Sequence, residues 1–353
     1  MPGGQEEAHV KEARFYRRIE GGQVLCELCP RLCRLRDGQI GFCFVRKNIG
    51  GTLYSLAYGR PCAVQVDPIE KKPFFHVMPG TRAFSIGTAG CNMGCLFCQN
   101  WDISKARLDH VRTVDLPPEA VVEAALATGA RSLAFTYNEP TIFAEYVMDT
   151  AALARARGLR TLMVTNGYLT PQALPEVYRD IDAANVDLKG FSEQFYRKIT
   201  LSHLEPVLAT LKALRALGVW IEVTNLVIPT LNDTPEEIGA LARWVRDELS
   251  VDVPLHFSAF HPDFKLLDKP PTPVATLLRA RALALELGLR YVYIGNVLTR
   301  DGADTSCPVC RRVVIRRVWH RVVLNDLRDG HCPCGAVIPG LWTRRPAAAG
   351  QRS

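Results

Sequence analysis

The chain has 353 residues, 48% hydrophobic and 22% charged, which is enough to bury a sizeable core and excludes a disordered or fibrous protein. Its net charge of +7 is concentrated at one end: residues 300–353 hold ten arginines against four aspartates. That is the composition of a solvated basic face, or of a surface for RNA or an acidic protein. No apolar run approaches the ~18 residues of a membrane span, and the first seven residues lack a signal-peptide pattern, so a cytoplasmic chain without membrane association is expected.

Twelve cysteines in such a compartment point to metal or chemistry rather than disulfides. Cys62 stands alone and reads as a small buried hydrophobe. The other eleven fall in three groups. The first is Cys26-x2-Cys29-x3-Cys33-x9-Cys43, four thiolates whose turns are shaped by Pro30, Gly38 and Gly41. Four ligands close a site, and zinc or a second [4Fe–4S] cluster satisfies the spacing, so the group reads as an auxiliary metal site of structural purpose. With the strand-like stretch 53–66 it makes up a cysteine-rich N-terminal module, residues 1–80.

Residues 81–300 alternate short β-branched or aromatic runs with helical patterns. Runs at 83–86, 132–136, 161–165, 184–188, 220–228, 255–259 and 291–294 read as strands, at the spacing of repeated βα units. Thr234-Pro235-Glu236-Glu237 has the form of a capping box, Thr170-Pro171 and Thr272-Pro273 repeat the Thr-Pro start, and Gly158, Gly218 and Gly288 mark helix ends. The fold class is α/β: a parallel sheet of six or seven βα units, curved into a partial (β/α)6-type barrel short of the eight strands of a closed one.

The second cysteine group, Cys91-Asn-Met-Gly-Cys95-Leu-Phe-Cys98, follows the first of these strands, where α/β barrels place their chemistry. Gly90 and Gly94 permit a tight path. Three thiolates are one fewer than a closed [4Fe–4S] site takes, so one iron is left open for a substrate or cofactor. A zinc ion would need a fourth ligand, and His76 and His110 are not at finger spacing. His256 and His261 flank the end of the sixth strand and read either as site residues or as satisfied structural histidines.

The third group, Cys307-x2-Cys310 and Cys332-x-Cys334, brackets a hairpin pattern over 313–324 and reads as a zinc-ribbon-like module, residues 301–345, with one residue where the second pair ordinarily has two. Strand alternation sends Arg312 and Arg316 to one face and Arg311, Arg317 and Arg321 to the other. Loss of residues 303–353 is expected to spare the core, because no core strand goes with them. Residues 346–353 read as a disordered tail.

The ordered set of the cysteine tetrad, CNMGCLFCQNW, TYNEPTIF, VTNGY, DLKGF, HFSAFHP, YVYIGNV and the terminal CPxC…CG…IPGLW resembles the radical S-adenosylmethionine (SAM) member of the AmmeMemoRadiSam system, itself similar to pyruvate formate-lyase activating enzymes. The resemblance spans about Cys26 to Trp342. It implies a [4Fe–4S] cluster on Cys91, Cys95 and Cys98, SAM at the open iron, Phe97 against the adenine, and Glu139, Asn166, Asp187 and Lys189 around the cofactor. Those residue types suit the cofactor's groups, since a lysine neutralises a carboxylate, an asparagine bonds ribose or carboxylate, and a glutamate accepts from an ammonium. The resemblance further implies a one-electron reductant such as flavodoxin or ferredoxin, and hydrogen abstraction from a protein substrate, with Memo-like or AMMECR-type proteins as partners. Two departures stand out. Tyr137 and Asn138 replace the two glycines of the family's glycine-glycine-glutamate motif, and Val164 stands where activating enzymes tend to have an aspartate. The second weakens the protein-activating reading relative to modification of RNA or a peptide. A non-catalytic iron–sulfur or zinc interaction protein is the reading from outside the enzyme class, opposed by retention of the three-cysteine motif with Glu139 and Lys189.

Overall fold

All seven expected strands form and lie side by side in sequence order: β2 (Arg82–Gly87), β3 (Ser132–Phe135), β4 (Arg160–Thr165), β5 (Ala183–Asp187), β6 (Trp220–Val227), β7 (Leu255–Ala259) and β8 (Val292–Gly295). Each pairs in parallel with the next. In this computed structural model residues 10–299 and 301–345 are described; the tail read as disordered, 346–353, lies outside the described residues. An eighth strand, β1 (Ala63–Pro68), runs antiparallel along β2. It comes from the 53–66 stretch, so the sheet exceeds the seven expected strands only by an antiparallel edge strand. Every residue of β3 is buried, and most of β4, as befits parallel strands covered on both faces.

The covering helices are α1 (Pro118–Ala127), α2 (Ala144–Ala156), α3 (Glu205–Ala216), α4 (Pro235–Trp244) and α5 (Val274–Glu286). Gly158, Gly218 and Gly288 follow α2, α3 and α5 with φ of 78°, 75° and 101°, the left-handed turn expected of them. The capping box is half realised. Thr234 accepts from the Glu237 amide at 3.3 Å, but the Glu237 carboxylate takes the Phe191 amide at 2.7 Å instead of returning to the cap. The other two Thr-Pro pairs tie segments together: Thr272 donates to the Val227 carbonyl at 2.6 Å and accepts from the Phe260 amide at 2.9 Å, joining the ends of β6 and β7, and Thr170 donates to the Glu27 carbonyl at 2.7 Å.

Near the C-terminus β9 (Thr305–Ser306), β10 (Val313–Val318) and β11 (Arg321–Asn325) form the expected antiparallel hairpin and its flank. A register shift between Arg316 and Arg317 breaks strict alternation. Arg317 turns inward, donating to the Phe75 carbonyl at 2.7 Å and to Ala303 O and Thr305 Oγ1 at 3.0 and 2.9 Å, beside the buried Glu70. It therefore belongs to neither basic face. The hairpin shares a core with the barrel: Phe75, Tyr291 and Tyr293 pack with Cys307, Val314, Ile315, Cys332 and Ile338. No strand of the eight-stranded sheet lies within 303–353, but their removal would uncover Phe75, Tyr291 and Tyr293.

His76 fastens the same junction. Its ring nitrogens meet the Pro339 carbonyl and the Tyr293 hydroxyl, each at 2.7 Å. Burial holds its pKa down at about 4, against the pull of Glu222. A histidine depressed in the folded state contributes stability that is complete above its unfolded pKa near 6.5 and lost as pH falls toward about 4, here about 3 kcal/mol. Urea unfolding between pH 7 and 4 should show that loss, and His76→Gln should flatten the slope.

Candidate active site

The CxxxCxxC loop leaves the C-terminal end of β2 and is fixed on two sides. Gly90, at φ 89°, lies so close to Cys43 that a β-carbon would stand 2.0 Å from the Cys43 carbonyl oxygen, so only glycine fits. On the far side Gly94 and Leu96 donate backbone N–H groups to Thr200 and Ile199, both at 2.9 Å. Asn138, at the end of β3, donates to the Gly90 carbonyl at 2.9 Å and accepts from Thr88 N at 3.1 Å, pinning the start of the loop. Tyr137 has φ 75°, the conformation a glycine takes without strain. Its hydroxyl donates to Asp67 at 2.6 Å and its carbonyl accepts from Asn100 at 2.7 Å. Lys72 at 2.6 Å and Lys71 at 3.0 Å complete the set around Asp67; burial pushes its carboxyl up, but Lys72, the Tyr137 hydroxyl and Lys71 outweigh that and bring it down to about 2.

A cavity of about 970 Å³ opens over these strand ends. It gathers Cys91, Cys95, Phe97, Cys98, Glu139, Asn166, Asp187 and Lys189, together with Val164 and His256. His261 lies outside it and is exposed. His256 lines the cavity wall with its Nε2 bonded to the buried Glu222 at 2.7 Å. Sequence reasoning missed Lys105, whose ammonium donates to the Met93 carbonyl at 2.6 Å, and the hairpin tip Val318, Trp319 and His320, which also lines the cavity. Neither lies in a motif; only their place in space assigns them.

The polar side chains are held by the protein itself. Glu139 Oε1 accepts from the Thr141 amide at 2.9 Å and the Thr165 hydroxyl at 2.7 Å, and Oε2 from the Asn166 amide at 2.7 Å. One acceptor direction of Oε2 remains. Burial raises the Glu139 pKa against those donors. Asn166 donates to Asn92 Oδ1 at 2.9 Å, accepts from the Tyr168 amide at 2.9 Å and lies 3.8 Å from Cys91 Sγ. Lys189 pairs with Asp187 at 2.9 Å and stands 5.8 Å from the Phe97 ring centre. Burial disfavours its charge, but Asp187 and the Cys95 thiol outweigh that and raise its pKa. Burial pushes the Cys91 thiol up to about 12 and raises Cys95, while Lys105 opposes both shifts and Lys189 opposes that of Cys95. The ammonium groups favour the thiolates that metal ligation requires.

Of the outer groups, Cys26, Cys29, Cys33 and Cys43 all line one small cavity, together with Arg31, Arg46 and Asn92 among others. Cys307, Cys310, Cys332 and Cys334 converge, with all four sulfurs within 4.8 Å of one another. Cys62 is half-buried.

Residues 85–245 match the sequence model of the radical SAM superfamily, and this part of the chain, a parallel sheet with three thiols on the loop after its first parallel strand, is a radical SAM domain. The chain belongs to one family with the uncharacterized protein MJ0808 of Methanocaldococcus jannaschii, to which it is 44% identical over 332 residues, 93% of this chain and 99% of that one. It is also similar to the pyruvate formate-lyase-activating enzyme of Clostridium pasteurianum (23% over 209 residues, 54% of this chain and 84% of that one) and to the pyruvate formate-lyase 1-activating enzyme of Escherichia coli K12 (24% over 231 residues, 61% and 93%). No helix among the described residues is long and apolar enough to cross a membrane.

Proposed function

We propose that the chain is an activating-enzyme-like radical SAM enzyme that takes a hydrogen atom from a protein substrate. The observation that carries this is the meeting of Cys91, Cys95 and Cys98 with Phe97, Glu139, Asn166, Asp187 and Lys189 in one cavity. The donor set fits a [4Fe–4S] cluster with an open corner: three thiols flanked by two ammonium groups, and, among the described residues, no arrangement around them tight enough for a single ion. When bound, the reduced cluster supplies the electron that cleaves SAM to methionine and a 5′-deoxyadenosyl radical. Lys189, oriented by Asp187, neutralises the cofactor carboxylate; the free direction of Glu139 Oε2 accepts from its ammonium; Phe97 packs on the adenine. Asn166, already engaged with Asn92 and Tyr168, holds the cluster loop more than it reaches for ligand.

The reductant in this reading is a low-potential flavodoxin or ferredoxin, and the partners are those of the AmmeMemoRadiSam system, a Memo-like or an AMMECR-type protein. Formation of 5′-deoxyadenosine by the anaerobically reconstituted, dithionite-reduced chain tests the chemistry; its absence refutes it. Abstraction from an RNA substrate is the second outcome of a substrate screen, and Arg317, turned inward, no longer counts toward a basic surface for it.

The ribbon tetrad is proposed to hold zinc. Cys307 and Cys334 sulfurs lie 3.7 Å apart and those of Cys310 and Cys332 3.6 Å, against about 3.8 Å across a tetrahedron with bonds of about 2.3 Å. Burial opposes ionisation of Cys307, but the amides of Cys310 and Val309 bring its thiol down to about 7. Cys310→Ser should remove one zinc per chain by metal analysis and lower the melting temperature by several degrees.

A further inference from the structure

We infer that Cys26, Cys29, Cys33 and Cys43 hold a [4Fe–4S] cluster, and that this cluster is the entry point for the electron used at Cys91, Cys95 and Cys98; the second half rests on the function proposed above.

The ribbon tetrad provides the internal standard. Its four sulfurs sit at the separation a single ion imposes, whereas among the described residues no three of Cys26, Cys29, Cys33 and Cys43 come within 4.8 Å of one another. The four nonetheless line one cavity. Thiols that face one space yet stand farther apart than the ligands of a single ion suit a polynuclear core, in which each iron takes one thiolate. Arg46 supplies the complementary charge. It lines the same space, is 2% exposed, and uses its Nη atoms on Glu145 and the Arg14 carbonyl, while its Nε has no partner. A buried N–H left without an acceptor beside four thiols is satisfied once an anionic cluster is there to receive it.

The position of the group gives it a direction. Cys29 and Cys33 are half-buried and lie nearer the surface, while Cys26 and Cys43 are buried. The buried end touches the catalytic loop: the Cys43 carbonyl is the atom that forbids a β-carbon at Gly90, one residue from Cys91. Asn92 bridges the two sites, lining the tetrad cavity while its Oδ1 accepts from Asn166, which lies against Cys91. Arg31, between Cys29 and Cys33, donates to the Asn92 carbonyl at 2.9 Å and to the Leu201 carbonyl, so the two loops are bolted together. A low-potential one-electron donor would reduce the tetrad cluster at its exposed side. The cluster returns to its oxidised state as the electron moves inward, and no bond or proton changes hands.

The decisive protein is the full chain with Cys91, Cys95 and Cys98 all replaced by alanine, reconstituted anaerobically with ferrous iron, sulfide and zinc. It should hold about four iron and four sulfide, give the electron paramagnetic resonance signal of a reduced cluster, and lose both when Cys29→Ala is added, with one zinc retained by the ribbon. About two zinc and no iron overturns the assignment. Should the triple variant fail to fold, the unaltered chain decides: about eight iron and a spectrum of two interacting spins support it, and about four iron with one isolated spin overturns it. For the relay, Cys33→Ala alone should slow 5′-deoxyadenosine formation by an order of magnitude or more with a reduced flavodoxin as donor, yet little with dithionite. Equal rates with both reductants, or equal slowing with both, overturns the relay. Absence of iron at Cys91, Cys95 and Cys98 would instead sink the enzyme reading and leave the tetrad count standing.

Discussion

Replacing Cys95 by alanine should reduce 5′-deoxyadenosine formation at least a thousandfold, about 4 kcal/mol in barrier terms. Cys95 is the most buried of the three loop thiols and the one beside which Lys189 is held. With two thiolates the cubane is under-ligated, so the loss falls on the cofactor rather than on substrate affinity. The fold should survive, because the loop is fixed by Gly90, Gly94 and Leu96 through backbone contacts that the substitution leaves alone. Cys62→Ala, outside all three cysteine groups, is the control and should leave turnover unchanged. Equal turnover by Cys95→Ala and the parent would falsify the radical SAM mechanism for this chain.

Arg317→Ala should destabilise the protein by about 3–5 kcal/mol, the cost of breaking a buried ion pair and stranding its partner. The arginine donates three side-chain hydrogen bonds, stands 4.1 Å from the Phe75 ring centre and faces Glu70 across 3.9 Å. Without it Glu70, whose Oε2 already has no partner and whose pKa burial already raises against the pull of Arg317, loses the cation that favours its ionised form. Arg317→Lys should recover only part of the loss, since a single ammonium cannot reproduce the fork. Arg321→Ala, exposed on the same hairpin, should change stability by no more than about 0.5 kcal/mol. The readout is the urea midpoint. A change below about 1 kcal/mol for Arg317→Ala would mean that the ribbon and barrel are not one cooperative unit.

The parallel sheet was legible because its signals are local: β-branched runs, glycine stops and a regular repeat length. The antiparallel edge strand was read as strand-like but not assigned to the sheet, since nothing within 63–68 states its partner. The site was legible where chemistry demands a residue type at a fixed spacing, as with Cys91, Cys95 and Cys98. It was illegible where the wall comes from a distant element, as with Trp319 and His320, or where one bulged residue reverses a side chain, as with Arg317. Likewise Thr272 has the sequence of a helix cap and the role of a strand tie, because its hydroxyl finds the Val227 carbonyl first. Tertiary partners prevail over the local ones there.

Tyr137 makes the bend at the end of β3 depend on the edge strand. It holds the left-handed torsion, φ 75°, and sets a phenol on it, moored to Asp67 of β1 at 2.6 Å. An unrelieved left-handed tyrosine costs on the order of 1–3 kcal/mol, and the mooring offsets that cost. The antiparallel strand at the sheet's edge thus holds in place a turn that lines the cavity two strands away.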